Sequence, residues 1–362
     1  MLQRMIGPRR IQRIVLATFI FSVLHIFGVF HHIFETDFYT NFHYPYDGDI
    51  EHLIQQLKDG KPPDVLPINS YHFEYNKKCV SKCSSMKQLR LVYIIKSAPE
   101  HFDRRIGIRN SWGYERRFSD AEIRTVFLVG ERNSHALKES LKEEYSKFHD
   151  IVHANFTDSY YNNTYKTMMG LQWAVRYCPN SQYYMFVDDD YYVSTKNVLR
   201  YLKHPTKYPE YVKNPLSGVS QLLNRKNLVY NDLDEDERLY SGYVFQSPPH
   251  RHLTSKWYVS LSEYPYHMWP PYVTAGAYIL SKSALIDMYY SSFYVKHFRF
   301  DDIYLGLVAY KAKINPLHCD QFYFYKKFYS KFGFNFTVAT HGYGDPKELV
   351  HMWNEQRSLG FA

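Results

Sequence analysis

The chain has 362 residues, 45% of them hydrophobic, which is the material of a large buried core and excludes a disordered tail. Its formal charge is +8, yet Lys and Arg are dispersed and no long block of like charge follows the N-terminus, which argues against a nucleic-acid binder. Aromatic residues reach 18%, with 36 Tyr, and rings with a polar edge suit surfaces that meet sugars or membrane interfaces.

Arg4, Arg9, Arg10 and Arg13 precede the apolar segment "IVLATFIFSVLHIFGVF", Ile14 to Phe30. At about 1.5 Å per residue, a helix continued to Phe34 reaches across a hydrocarbon core of roughly 30 Å. The basic residues before it, and Glu35 and Asp37 after it, place residues 1–13 in the cytosol and the remainder across the membrane. No small-x-small cleavage site follows, so 14–34 reads as an uncleaved transmembrane signal anchor, although His25 is costly at mid-membrane. The sequons at Asn155, Asn162 and Asn335 accept N-linked glycan in a lumenal body. Cys79, Cys83, Cys178 and Cys319 form an even set that an oxidising compartment would pair in one of three ways, and no zinc spacing accompanies them.

Residues 35–88, with "KDGKPPDVLP", sustain neither a helical nor a strand period and read as a lumenal stem. From Leu89 the character changes, and 89–362 reads as one catalytic body. "LRLVYIIKSA", "EIRTVFLVG" and "QYYMFVDDD" are apolar runs of strand length, separated by "HALKESLKEEYSKFH" and "TYKTMMGLQWAVRYC" with helical spacing. That alternation predicts a parallel α/β sheet, whose ligands bind beyond the carboxyl ends of the strands. Farther on, the acidic run "NDLDEDERL" lacks the glycine and spacing of a calcium loop and reads as solvated, and "DDIYLGLVAYKAKI" reads as a helix.

Three adjacent carboxylates, Asp188, Asp189 and Asp190, close the third apolar run. A hard divalent cation takes one or two carboxylates while substrate phosphates and waters fill its shell. Alternate side chains share a side in extended or turning backbone, so Asp188 and Asp190 can address one site while Asp189 faces elsewhere. A polar strand terminus is the alternative, and context has to decide.

The context is a series of motifs in order: "RRIGIRNSWG", "VFLVG", "DSYYNNTYKT", "FVDDDYYVS", "KWYVS", "WPPYVTAGAYILS" and "FDDIYLGL". Together they resemble the β-1,3-glycosyltransferases of family 31, from Leu89 to the C-terminus, with "DDDYYVSTKNVL" and "WPPYVTAGAYILS" most similar to the brainiac branch. The resemblance implies a GT-A type fold with a Rossmann-like nucleotide-sugar domain, preceded here by the transmembrane helix and stem. It implies an inverting enzyme of the Golgi membrane that moves galactose or N-acetylhexosamine from a UDP-sugar to the 3-hydroxyl of a glycolipid or glycoprotein glycan, with Mn²⁺ as cofactor.

On that resemblance Asp190, Asp188 and His341 hold the metal, Asp302 is the base with Asp301 beside it, and Ser97, Ala98, Arg105, Arg109, Lys166, Asp188, Asp189 and Gly276 meet the nucleotide sugar. Trp269, Tyr272 and Tyr278 would stack on the acceptor. An Asp directly before "IYLGLVAYK" also suits a helix cap. The chain departs from many relatives at Phe186, where they carry Lys, and at Val273, where they carry Cys. The first leaves donor choice open and the second makes pairing of the cysteines by analogy unsafe. A catalytically inactive glycan-binding protein or chaperone on the same fold would have lost one carboxylate site, whereas this chain keeps both. A phosphate-dependent lumenal hydrolase using the same metal is the remaining alternative, and it predicts free sugar without an acceptor.

Overall fold

The computed structural model describes residues 8–84, 88–119, 121–213 and 237–362. Most of the acidic run, residues 231–236, and the first seven residues of the basic N-terminus lie outside the described residues. The chain divides into two units, the smaller made of residues 1–44 and 246–270 and the larger of 45–245 and 271–362.

The smaller unit holds the helix Pro8–Ile26, on which Ile14, Leu16, Phe19 and Phe21 are all exposed. Among the described residues no helix is long and apolar enough to cross a membrane. This unit is knit by the buried Arg251, which pairs with Glu35 at 2.8 Å and donates to the carbonyls of Val259, Tyr264 and Tyr266. Gly28 has φ +76°, and a Cβ there would stand 2.4 Å from the Arg251 carbonyl oxygen, so only glycine permits this approach.

The larger unit is built on an eight-stranded sheet. Its strands are β1 (Tyr75–Lys77), β2 (Leu89–Lys96), β3 (Ile123–Glu131), β4 (Ile151–Thr157), β5 (Ser181–Asp188), β7 (Tyr240–Phe245), β8 (Tyr272–Ser281) and β9 (Leu317–His318). A second sheet joins β6 (Tyr191–Val193), β10 (Phe322–Tyr323) and β11 (Ala339–His341) in the order β10-β11-β6. The large sheet runs β1-β4-β3-β2-β5-β8-β7-β9, with β4, β3, β2 and β5 mutually parallel, as the alternating pattern predicts. Of these, β2, β3 and β5 are buried on both faces, which is why they read as continuous apolar runs. The helices His135–Phe148 and Asn163–Tyr177 fall where the spacing places them.

Two features differ from the sequence reading. First, β8 enters antiparallel beside β5, with Val187 opposite Ala277, so the sheet is mixed. Beyond Val187 the N-terminal half of β8 runs on past the end of β5, forming a wall at the carboxyl edge. Second, residues 45–88 are not without regular structure. The helix Glu51–Lys58 buries Leu53 and Ile54 against Tyr294, and β1 pairs with β4 at the sheet edge. Two apolar positions suffice for a two-turn helix that is packed from outside, and so short a pattern does not register as a period. Cys83 and Cys178 form a disulfide, whereas Cys79 and Cys319 are buried thiols that burial pushes up to about 12.

Candidate active site

The carboxyl edge of the sheet gathers the charged groups of the motifs around one lysine. Lys96 is the last residue of β2 and pairs in register with Asp188, the last residue of β5. Its buried ammonium lies 3.0 Å from Asp188 Oδ1 and 2.9 Å from Asp301 Oδ2, and it donates to the Ala275 carbonyl of β8 at 3.0 Å. Thr167 Oγ1 donates to the same Asp301 oxygen at 3.0 Å. Burial works against the charged lysine, but Asp188 and Asp301 outweigh it and hold the ammonium above its ordinary value. Asp188 moves the other way: burial, with Asp190 and Asp301 nearby, pushes it up to about 7 against the pull of Lys96.

The three aspartates divide, Asp188 ending β5 and Asp189 and Asp190 forming the turn that leads into β6. Asp189 turns inward, accepting from Ser97 Oγ at 2.7 Å, His101 Nδ1 at 2.8 Å and Arg104 at 2.9 Å. Burial would raise this carboxyl, yet those donors hold it below the usual range. Asp190 faces the other way. Its Oδ2 is 3.2 Å from His341 Nε2, while its Oδ1 is buried with no hydrogen-bond partner. β11, which ends at His341, pairs with β6, which starts at Tyr191, so a second sheet sets the histidine beside the triplet. The hydrogen bond to Asp190 raises the imidazole above its ordinary value.

The helix Asp301–Lys311 begins at the same edge with Phe300 as its N-cap and no side-chain cap, so neither aspartate serves as the cap. Asp301 is buried and tied to Lys96, whereas Asp302 is half-buried and accepts the Ile303 N–H at 2.8 Å. Burial, reinforced by Asp301, pushes the Asp302 carboxyl up to about 7. A carboxylate that changes charge near neutral pH beside a cluster able to take anionic or cationic partners is suited to proton abstraction.

A family model described as Galactosyltransferase matches residues 103–218 and 217–320. The chain is 40% identical over 336 residues to the Drosophila melanogaster beta-1,3-galactosyltransferase brn, covering 92% of each chain. The chain belongs to the galactosyltransferase family. It is also 30% identical over 292 residues to beta-1,3-galactosyltransferase 1 of Homo sapiens and of Mus musculus, covering 81% of each chain. Among solved structures it is similar to the galactosyltransferase LgtC in complex with donor and acceptor sugar analogs, at 10% identity and a TM-score of 0.37, over 73% of this chain and 95% of that one. This member is a glycosyltransferase, with a β-1,3-glycosyl transfer role in glycan biosynthesis.

Not every motif residue reaches the site of this galactosyltransferase-family enzyme. Arg105 is fully buried, with a two-pronged ion pair to Glu144 at 2.8 and 2.7 Å and further bonds to Ser97 Oγ and the Ala98 and Pro99 carbonyls. Arg109 binds Glu144 and Asp150 and packs over Phe127 and Phe148. Both guanidiniums are spent on the framework, which corrects their placement on the nucleotide phosphates. Arg105→Met should therefore cost roughly 3–5 kcal/mol in a urea unfolding curve, because Glu144 stays buried with half its partners gone. Nucleotide affinity of the folded protein should not change, and its loss would restore the phosphate role. Arg104, the first arginine of the same motif, pairs with Asp189 at 2.9 Å and is the arginine beside the aspartates.

Lys166 is buried between Asp158 Oδ1 at 2.8 Å and the Ser97 carbonyl at 2.7 Å, so it orients the loop after β2 and meets no ligand directly. Ser97 and Ala98 stand in that loop, the serine hydroxyl committed to Asp189. Asp189 itself is likewise spoken for, which corrects its assignment to the nucleotide sugar. At Gly276 a Cβ would stand 2.1 Å from the Tyr191 hydroxyl, so the glycine makes room for that ring and not for a donor sugar. Tyr278 is buried and stacked on Phe186 at 5.0 Å, and Trp269 is buried against Tyr264 in the smaller unit, so neither offers a face to a sugar; Tyr272 remains half-exposed. Asn155 is exposed on β4, while Asn162 and Asn335 are half-buried.

Sequence reasoning missed Lys96, His101 and Thr167. The one available signal was a lysine ending the otherwise apolar "LVYIIK", a position at which an unpaired charge would be costly. Phe186 places a ring in the sheet, stacked on Tyr278, and the cation of this edge stands on the neighbouring strand at Lys96.

Proposed function

We propose that the enzyme is an inverting β-1,3-galactosyltransferase of GT-A type, moving galactose from UDP-galactose to the 3-hydroxyl of a glycan on lipid or protein. The observation that carries this reading is the shared ammonium of Lys96, which brings Asp188 of the triplet and Asp301 of the base-bearing helix within 3.0 Å of one atom. Donor end and acceptor end of a transfer site thereby adjoin.

A divalent cation such as Mn²⁺ fits the residues present. Asp190 offers a buried oxygen without a partner and His341 an adjoining imidazole, a mixed set that Mn²⁺ tolerates, while Asp188 stands beside them turned to Lys96. Among the described residues there is no group of three or more metal-ligating side chains, so Asp190 and His341 would hold the ion with the donor diphosphate completing its shell. When bound, the ion supplies charge neutralisation to the departing diphosphate. Asp302 takes the proton from the acceptor hydroxyl as that oxygen attacks the anomeric carbon from the face opposite UDP, and inversion follows. Lys96 holds Asp301, and through it the start of the helix, in place during transfer.

For the chain's setting, the proposal is a type II Golgi membrane protein with residues 1–13 cytosolic, an anchor at 14–34 and a lumenal body from 35. The exposed apolar side chains of the helix Pro8–Ile26 and the arginines ahead of its apolar stretch support it. Asp190→Asn tests the donor site. Transfer from UDP-galactose with Mn²⁺ should fall about a hundredfold or more while circular dichroism stays unchanged. Turnover within a factor of about three of the parent would remove Asp190 from the metal shell.

A further inference from the structure

An aromatic surface leads away from the base. Gly306 follows Asp302 by one turn on the same helix face, and a Cβ there would stand 2.5 Å from Tyr272 Cβ. The bare glycine therefore seats Tyr272 against the helix that carries Asp302. Tyr272 opposes Phe245 across β8 and β7, and their rings stack at 5.8 Å with 27° between planes. Phe324, just beyond β10, lies 4.9 Å from Phe245 and 4.8 Å from Tyr243. Tyr243 in turn lies 4.9 Å from His318, whose Nε2 is 2.7 Å from the exposed Asp320.

The outer end of this row is open to solvent. Phe324 is 39% exposed and the adjacent Tyr325 50%, while Tyr243, Phe245 and Tyr272 are partly buried, Tyr243 with one side on the core. Contiguous exposed rings beside a reaction centre are costly in water and are relieved by a ligand with apolar faces. A pyranose has such faces, edged by hydroxyls, and the track ends in polar groups suited to bind them, the phenol of Tyr325 and the carboxylate of Asp320, which His318 holds through Nε2 while its Nδ1 accepts from the Val244 N–H. An acyl chain or anionic lipid surface would not match an exposed carboxylate at that place.

We propose that Tyr272, Phe245, Phe324 and Tyr243 form an extended acceptor track on which the second and third sugars of an oligosaccharide acceptor stack, with the terminal sugar held at Asp302. The track rests on the assignment of Asp302 as base. It makes the enzyme select chains over single sugars, and it leaves the linkage formed to the site itself.

The full-length chain, UDP-galactose and methyl glycosides of glucose, galactose, mannose and N-acetylglucosamine identify the accepting ring. Its di- and trisaccharides, lengthened at the reducing end, are then compared with the single sugar. In the parent enzyme kcat/KM should rise about tenfold or more with length, chiefly through KM. In Phe324→Ala, which removes an exposed ring outside the sheets, that gain should shrink about five- to tenfold with kcat and KM on the single sugar unchanged, and Phe324→Tyr should restore it. Equal losses on short and long acceptors, or no length dependence in the parent, would overturn the track alone. Absence of transfer from UDP-galactose to every acceptor would overturn the proposed galactosyl transfer, and the track with it.

Discussion

Replacing Asp302 with Asn is expected to abolish glycosyl transfer while leaving the fold and nucleotide binding intact. The carboxylate is half-buried at the first turn of a helix, close to Asp301 and the Lys96 cluster, and its proton affinity is pushed up to about 7. Below that pH the group is protonated and cannot accept the acceptor's proton, so kcat/KM of the parent should climb about tenfold per pH unit up to about 7 and level off above it. Loss of a positioned base is worth roughly 10²–10⁴ in rate. The variant should show that loss together with the disappearance of the acid limb, and transfer retained within a factor of about three would move the base elsewhere. Stability supplies an independent check on the same carboxyl. Because its folded proton affinity exceeds that of an exposed aspartate, the folded state holds the proton more tightly, and this stabilisation is lost as pH rises through about 7. Asp302→Asn should therefore unfold at higher urea than the parent at alkaline pH.

Lys96→Met is expected to lose both stability and transfer. The substitution leaves the carboxylates of Asp188 and Asp301 at the sheet edge with no cation between them, and removing one member of a buried ionic cluster costs roughly 3–5 kcal/mol. Asp301→Asn in the same chain removes one of the two stranded charges and should recover part of that cost, so a double-mutant cycle read by urea unfolding should show coupling of about 1 kcal/mol or more. Additive energies would mean that the pair does not act as a unit. Lys96→Arg keeps the charge but carries a planar fork where a compact ammonium meets three acceptors, and should fall between the parent and the Met variant.

The parts of the site that were legible in the sequence are those whose chemistry is carried by residue type and local order. Asp188 to Asp190 end an apolar run, so their place at the carboxyl edge follows from the strand, whereas the inward aim of Asp189 is set in the turn between β5 and β6. Asp302 and His341 were reached through motifs. Errors came where a side chain's role depends on what lies opposite. Arg105 has the same residue type whether it meets a phosphate or Glu144, and Gly276 is equally small beside a sugar or beside Tyr191. Tyr278 is as aromatic inside a sheet as on a sugar face. Lys96 escaped notice because its two partners come from β5 and from the helix Asp301–Lys311, distant in the chain.

What the sequence by itself determined was the set of local choices: buried parallel strands from continuous apolar runs, amphipathic helices from their period, and carboxylates at the ends of those elements. Each is a short-range energy, written in neighbouring residues. Only the tertiary structure decided that β8 enters antiparallel to wall the site, that Lys96 joins two acidic motifs, and that Tyr272, Phe245 and Phe324 share a surface. Those outcomes depend on long-range strand pairing and on burial, which select the one arrangement in which the charged groups find partners and the rings find cover.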